Sequence, residues 1–235
     1  FNTAYWAYNP EGAFETWTTL YPPLSFVILR ALSVSDCYQM MSGLDPSPGY
    51  MARGCDWIGH VSIFGFWALG VVLMFLALRK FDPRTAIPRT ICIGLGWPML
   101  NGVERGNLVL IAFPMFLLAV MPLLRSAWAR WFFAAFAINL KIYLIAPFMA
   151  QLIMRRWRWV ESVLIATVLV YLASYALLGA GTIGEILRNI AVWSQNTMTN
   201  PLEFWPATTY QGIVSFLENK DEIFPAVLML GSDTI

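Results

Sequence analysis

Two long stretches of the chain run without charge. Trp57 to Leu78 holds no Asp, Glu, Lys or Arg, and Arg79-Lys80 follows it. Ser162 to Gly184 is equally free of charge, and Arg155-Arg156-Trp157-Arg158 precedes it. A helix rises about 1.5 Å per residue and needs about 20 residues to cross a hydrocarbon core of roughly 30 Å. Both stretches exceed that length, so each predicts a membrane span. Gly106 to Leu124 just reaches it and predicts a third, kinked at Pro114.

Two further apolar stretches are interrupted. Thr90 to Val103 is short of a span and contains Gly94, Gly96 and Pro98. Trp131 to Met154 is long enough but has Lys141 near its middle. The distribution of charge decides how they run. Nine of the 15 basic residues fall in three clusters: Arg79, Lys80, Arg84 and Arg89; Arg125 and Arg130; Arg155, Arg156 and Arg158. Of the 14 acidic residues only Asp82 and Glu161 lie in or beside these clusters. Loops rich in Lys and Arg stay on the cytoplasmic side, so the chain leaves and returns between consecutive clusters. On this reading 90–124 is a hairpin with its tip at Asn101 to Asn107. Likewise 131–154 is a hairpin of two short arms with its tip near Asn139-Leu140-Lys141. Arms of about 10 and 13 residues do not reach the far side, so that tip lies at membrane depth, as irregular backbone lining a cavity. The competing expectation is one straight span across 131–154.

The pattern predicts an all-α fold, a polytopic membrane helical bundle with short broken or re-entrant helices. Residues 1–56 form an outer loop, 57–184 the transmembrane helices and hairpins, 185–222 a second outer loop, and 223–235 the start of a span cut short. The chain reads as an internal piece, 1–235, of one larger membrane domain. Tyr21-Pro22-Pro23 opens a short apolar segment, Leu24 to Leu32, expected to lie in the outer interface or dip into it. Cys37 and Cys55 share one outer loop, where they either pair or stay free. Cys92 is read as a packing residue and His60 as an interfacial one.

Composition agrees. Among 235 residues 58% are hydrophobic and 12% charged, with mean hydropathy +0.60. Soluble domains carry about 25% charged residues, so a water-soluble enzyme is excluded. The net charge of +1 gives no electrostatic reason for a nucleic-acid partner. With one histidine and no Cys-x-x-Cys there is no Ser-His-Asp arrangement, no metal site and no cofactor motif.

What remains is charge at membrane depth, which is costly and usually functional. Glu104, Arg105 and Lys141 stand out. Arg105 and Lys141 sit on neighbouring tips, and Asn107 is placed to cap the helix behind it. The amides of Leu108, Val109 and Leu110 are then expected to face outward with the positive end of the helix dipole. Two cations and a helix start facing an apolar cavity suit a lipid phosphate. Glu104 would orient Arg105 or contact a substrate hydroxyl. The bland alternative is a local Glu104–Arg105 pair and a Lys141 that snorkels to the interface. Tyr5, Trp6, Tyr8, Phe14, Trp17 and Tyr21, with Trp193, Phe204, Trp205 and Tyr210, are either sugar-binding aromatics or an interfacial belt.

Tyr21-Pro22-Pro23-Leu24, Glu104-Arg105-Gly106-Asn107, Leu140-Lys141-Ile142-Tyr143 and Arg155-Arg156-Trp157-Arg158 follow one another in order. In this the chain resembles the multi-pass C-type glycosyltransferases, most closely glycosyltransferase family 87, over roughly residues 1–160. The family includes polyprenyl-phosphate-mannose-dependent α-mannosyltransferases. The resemblance implies transfer of a mannose-like hexose from a polyprenyl-phosphate donor to a glycan or glycolipid acceptor. It implies a cell-membrane enzyme, bacterial inner membrane by this likeness, with its active site on the extracytoplasmic face. Arg105, Lys141 and Asn107 would hold the donor phosphate; Glu104, Tyr21, Tyr143 and Asn139 are candidates for the remaining substrate contacts. The general base would be an Asp just before Phe1. Val109 stands where many relatives have Asp, and Leu144 where Pro is common. No cofactor or metal is implied by the residues themselves. The rival readings are a secondary transporter, for which broken helices are equally apt, and a polymerase or ligase of lipid-linked glycans.

Overall fold

The computed structural model describes residues 2–39 and 52–199. Every regular element among them is helical. Phe204, Trp205, Tyr210 and the apolar stretch from residue 223 lie outside the described residues. The chain divides into a unit from Phe1 to Asn189 and a second from Ile190 onward.

Four short helices come first: α1 (Asn2–Ala7), α2 (Pro10–Glu15), α3 (Pro23–Ala31) and α4 (Asp36–Gln39). The two long ones are α5 (Trp57–Phe81) and α11 (Trp157–Leu178). They are 25 and 22 residues, long and apolar enough to cross a membrane. Between them lie α6 (Ala86–Gly94), α7 (Trp97–Arg105), α8 (Val109–Val120), α9 (Ala127–Leu140) and α10 (Ile145–Ile153). Last is α12 (Ile183–Thr199), so the expected outer loop from 185 begins as helix.

Two expected elements are shorter than their uncharged runs. The third span is the 12-residue α8, about 18 Å long, because Met121 turns to extended backbone at φ −81°, ψ 154°. The arm from Thr90 to Val103 is two helices, broken at Leu95-Gly96. Gly96 starts α7 with Pro98 just inside it, and a Cβ there would lie 2.5 Å from the Cys92 carbonyl oxygen. Cys92 itself is exposed rather than packed.

Packing fixes the register. Gly106 faces Ile63 and Gly70 faces Phe113, with a Cβ on either glycine 2.9 Å from its neighbour. Both pairs have the same sequence offset, so α5 and α8 run side by side in the same direction. Lys80 Nζ reaches the Pro122 carbonyl at their common end. Helix α9 runs opposite to α8. Leu108 and Leu140 share a cluster at one end, and Arg130 donates to the Ala119 and Val120 carbonyls at the other. Helix α11 runs with α9: Asn139 meets Thr167 and Ala134 shares a cluster with Val163. The three basic clusters therefore gather at one end of the bundle.

The stretch 131–154 doubles back. Phe148 packs in one cluster with Ala134 and Ile138, whereas a straight helix would set Ala134 and Phe148 about 21 Å apart. The first arm starts at Ala127, one turn before the apolar run, because Ser126 Oγ accepts from the Ala129 amide.

Asp56 caps α5 and ties it to the preceding loop. Its Oδ1 accepts from the Gly59 and Val34 amides at 2.9 and 3.0 Å, and its Oδ2 from the Tyr38 hydroxyl at 2.6 Å. Burial, with that bond to Asp56, pushes the Tyr38 phenol above its ordinary range. A disulfide joins Cys37 to Cys55 beside this hub.

Candidate functional site

The chain breaks helix at Lys141, whose φ of −143° and ψ of 100° are extended. A single 3-10 turn, Ile142–Leu144, then leads into α10. From the pairing of Asn139 with Thr167, Lys141 stands level with Leu169 of α11, about 18 Å from the Trp157 end and about 14 Å from the Leu178 end. It is only 7% exposed. Its ammonium donates to the Tyr21 hydroxyl at 2.9 Å, lies 4.3 Å from the centre of the Tyr21 ring and 6.0 Å from that of Tyr143. Among the described residues no carboxylate pairs with it. A buried ammonium without a counter-ion is unfavourable unless an anion arrives.

Helix α3 positions Tyr21. Ser25 in its first turn is fully buried and donates from Oγ to the Leu140 carbonyl at 3.0 Å. The helix thus dips to the level of the tip rather than lying flat on the bundle. In the sequence Ser25 is silent: a lone serine just past Pro-Pro carries no signal of its own. Trp17 continues the aromatic row, 6.2 Å from Tyr21, and stacks on Trp6 at 5.7 Å and 7°.

The second tip is built from Glu104-Arg105-Gly106-Asn107. Gly106 takes the left-handed conformation, φ 57°. The Gly106 amide bonds the Val103 carbonyl and the Asn107 amide the Gly102 carbonyl, the Schellman pattern that ends a helix. Asn107 then opens α8, its Oδ1 accepting from the Val109 amide at 3.1 Å. The expected cap is therefore present, but two of the three amides meant for a ligand are already bonded: Val109 to the Asn107 side chain and Leu110 to the Asn107 carbonyl. Because Leu108 and Leu140 share one cluster, the two tips stand at the same height.

The structure thus brings together Tyr21, Lys141 and Tyr143, while Asn107 lines a separate pocket with Leu32, Ser33 and Asp56. Arg105 and Glu104 are exposed at the end of α7. The Glu104 carbonyl accepts from Arg53 at 2.9 Å, a link between distant turns that spacing does not reveal. Asn139 is turned away: its amide donates to the Ala135 and Thr167 carbonyls at 2.9 and 3.1 Å. Through the Thr167 bond it is a strut between α9 and α11.

No family model, curated protein or solved structure matches this chain.

Below the tips lies an open groove of about 450 Å³ between α3, α5, α8 and α9. Its lining is wholly apolar, including Ile28, Phe66, Met115, Phe132 and Phe136. Ile28, Phe66 and Phe136 also pack on the Leu108–Leu140 cluster, so the groove adjoins the layer from which Lys141 projects. Among the described residues no group of His, Cys, Asp or Glu is arranged to hold a metal.

Proposed function

We propose that this chain is the catalytic part of a membrane-embedded glycosyltransferase that moves a hexose from a polyprenyl-phosphate donor to a glycan or glycolipid. The observation that carries the reading is the buried ammonium of Lys141, which meets no carboxylate among the described residues, above an apolar groove. An anionic headgroup with a hydrocarbon tail satisfies both at once. Membrane embedding is supported by the long helices: only 17% of the most apolar window of each is buried, whereas the core helix of a soluble protein is mostly covered.

In the reaction the acceptor hydroxyl oxygen attacks the anomeric carbon, forming the new glycosidic bond. The bond from that carbon to the donor phosphate oxygen breaks, and the phosphate leaves with both electrons. Lys141 stabilises this departing charge, which is where preorganised electrostatics contributes most. The Tyr21 hydroxyl, accepting from Lys141, keeps its own proton to donate to a phosphate oxygen. A general base takes the acceptor proton.

The test is transfer of radiolabelled mannose from polyprenyl-phosphate mannose in membranes carrying the full-length protein. Lys141→Met is expected to lower transfer about a hundredfold while the protein still inserts. Unchanged transfer would remove Lys141 from the mechanism. Broken helices meeting at one height also suit a transporter; movement of a solute across vesicles with no glycosidic product would favour that reading.

A further inference from the structure

We propose that the turn joining α10 to α11, residues 153–158, is a binding site for anionic phospholipid headgroups. The proposal rests on the membrane reading above but not on sugar transfer.

The turn combines two kinds of surface. Arg155, Arg156 and Arg158 are exposed. Ile153 is 86% exposed, Met154 62% and Trp157 64%. Contiguous apolar side chains among three guanidinium groups are poorly placed in water. At the edge of a bilayer the same arrangement is complementary: the apolar groups enter the acyl region while the arginines reach the phosphates. A guanidinium presents two parallel donors to a phosphate. A zwitterionic headgroup offers the phosphate together with its own cation; an anionic one leaves its charge to the arginines.

The backbone adds a second observation. Helix α10 ends in a Schellman turn, with the Arg155 amide on the Leu152 carbonyl at 2.9 Å and the Arg156 amide on the Gln151 carbonyl at 3.0 Å. Arg155 occupies the left-handed position, φ 55°. The ends of α7 and α11 give that position to Gly106 and Gly179. An L side chain is strained where glycine is not, so the chain keeps a guanidinium here at the expense of backbone comfort. Arg156 Nη1 reaches back to Gln151 Oε1 at 3.4 Å, which leaves Arg155 and Arg158 as the foremost headgroup ligands. Trp159 packs on Phe148 at 5.9 Å and anchors the turn to the bundle. The other clusters at this end add charge of the same sign: Lys80 and Arg130 offset the carbonyl end of α8. The carboxylates of this end among the described residues are Asp82 and Glu161, and Asp82 is occupied by Thr85 and the Arg84 amide.

The experiment is native mass spectrometry of the detergent-purified full-length protein, titrated with phosphatidylglycerol or phosphatidylcholine. Phosphatidylglycerol is expected to bind more tightly, with affinity falling about fivefold for each arginine removed. Arg155→Gly suits the left-handed backbone and preserves the turn, so it tests one guanidinium without threatening the fold. The combined Arg155→Gly, Arg156→Gln, Arg158→Gln variant is expected to bind both lipids alike. Wild-type protein with no preference between the lipids, or an Arg155→Gly variant retaining full phosphatidylglycerol affinity, overturns the proposal. Alkaline carbonate extraction is run alongside. Release of the chain from membranes would sink the membrane reading itself, whereas a retained chain without headgroup preference sinks only this site.

Discussion

The Tyr21 hydroxyl and the Lys141 ammonium meet at 2.9 Å although 120 positions separate them in the chain. The contact sets the break in the α9–α10 hairpin against the start of α3 and leaves the phenol proton available. Tyr21→Phe removes the hydroxyl and keeps the ring beneath the ammonium. It is expected to fold and to lower sugar transfer about tenfold, with a larger effect on turnover than on donor KM, since the hydroxyl acts on the leaving phosphate. An equal loss in both parameters would instead indicate that the hydroxyl only organises Lys141.

Gly106 and Gly179 are both left-handed, but their surroundings differ. A Cβ on Gly106 meets Ile63 at 2.9 Å, while one on Gly179 meets nothing within 4 Å. Gly179→Ala is expected to cost about 1 kcal/mol, the backbone penalty alone. Gly106→Ala adds the displacement of Ile63 and is expected to cost about 2–4 kcal/mol. Unfolding midpoints in detergent, compared side by side, check the order.

The disulfide between Cys37 and Cys55 spans 18 positions. Closing a loop of that size stabilises a fold by about 3 kcal/mol in the chain-entropy account. Reduction, or a Cys37→Ser, Cys55→Ser pair, is expected to lower the unfolding midpoint of the purified protein. Peptide mapping without reductant would show the cross-linked pair directly; recovery of both cysteines as free thiols would contradict it.

Asn139 provides the control for the site. Its amide bridges α9 to α11 through the Thr167 carbonyl. Asn139→Ala is expected to cost about 1–3 kcal/mol of stability with donor KM unchanged at temperatures where the variant stays folded. A raised KM at full stability would return Asn139 to the substrate contacts.

The sequence made the large divisions legible because helices long and apolar enough to cross a membrane announce themselves by charge exclusion. The long helix from Trp57 and the interruption at Lys141 follow from that alone; the second long helix is offset from its uncharged run at Ser162 to Gly184, starting at Trp157 with Arg158 and Glu161 inside it and ending at Leu178. The double-back of 131–154 followed from the sidedness of the arginines. Other features were hidden for identifiable reasons. The end of α8 at Val120 is made by Met121 adopting extended backbone within a run that stays apolar to Leu124. The α6–α7 break depends on the close approach of Gly96 to the Cys92 carbonyl. Asn139 looked like a ligand because its residue type suits one; only the position of Thr167, 28 positions onward, shows which way it faces. Asp56 before the apolar run at Trp57 carries a readable cap signature, but its bonds to Val34 and Tyr38 are tertiary.

The equal height of the two helix breaks bears on how such a protein is made. A segment interrupted halfway through hydrocarbon has no stable solitary state there, because its freed amides and carbonyls find neither water nor partners. In the membrane reading proposed above, the stretch around Lys141 is poorly suited to independent release from the insertion machinery. It would enter the lipid alongside finished neighbours, with Ser25 already waiting to receive the Leu140 carbonyl. Biogenesis of this bundle would then proceed by co-assembly of α3, α8 and α9 rather than one helix at a time.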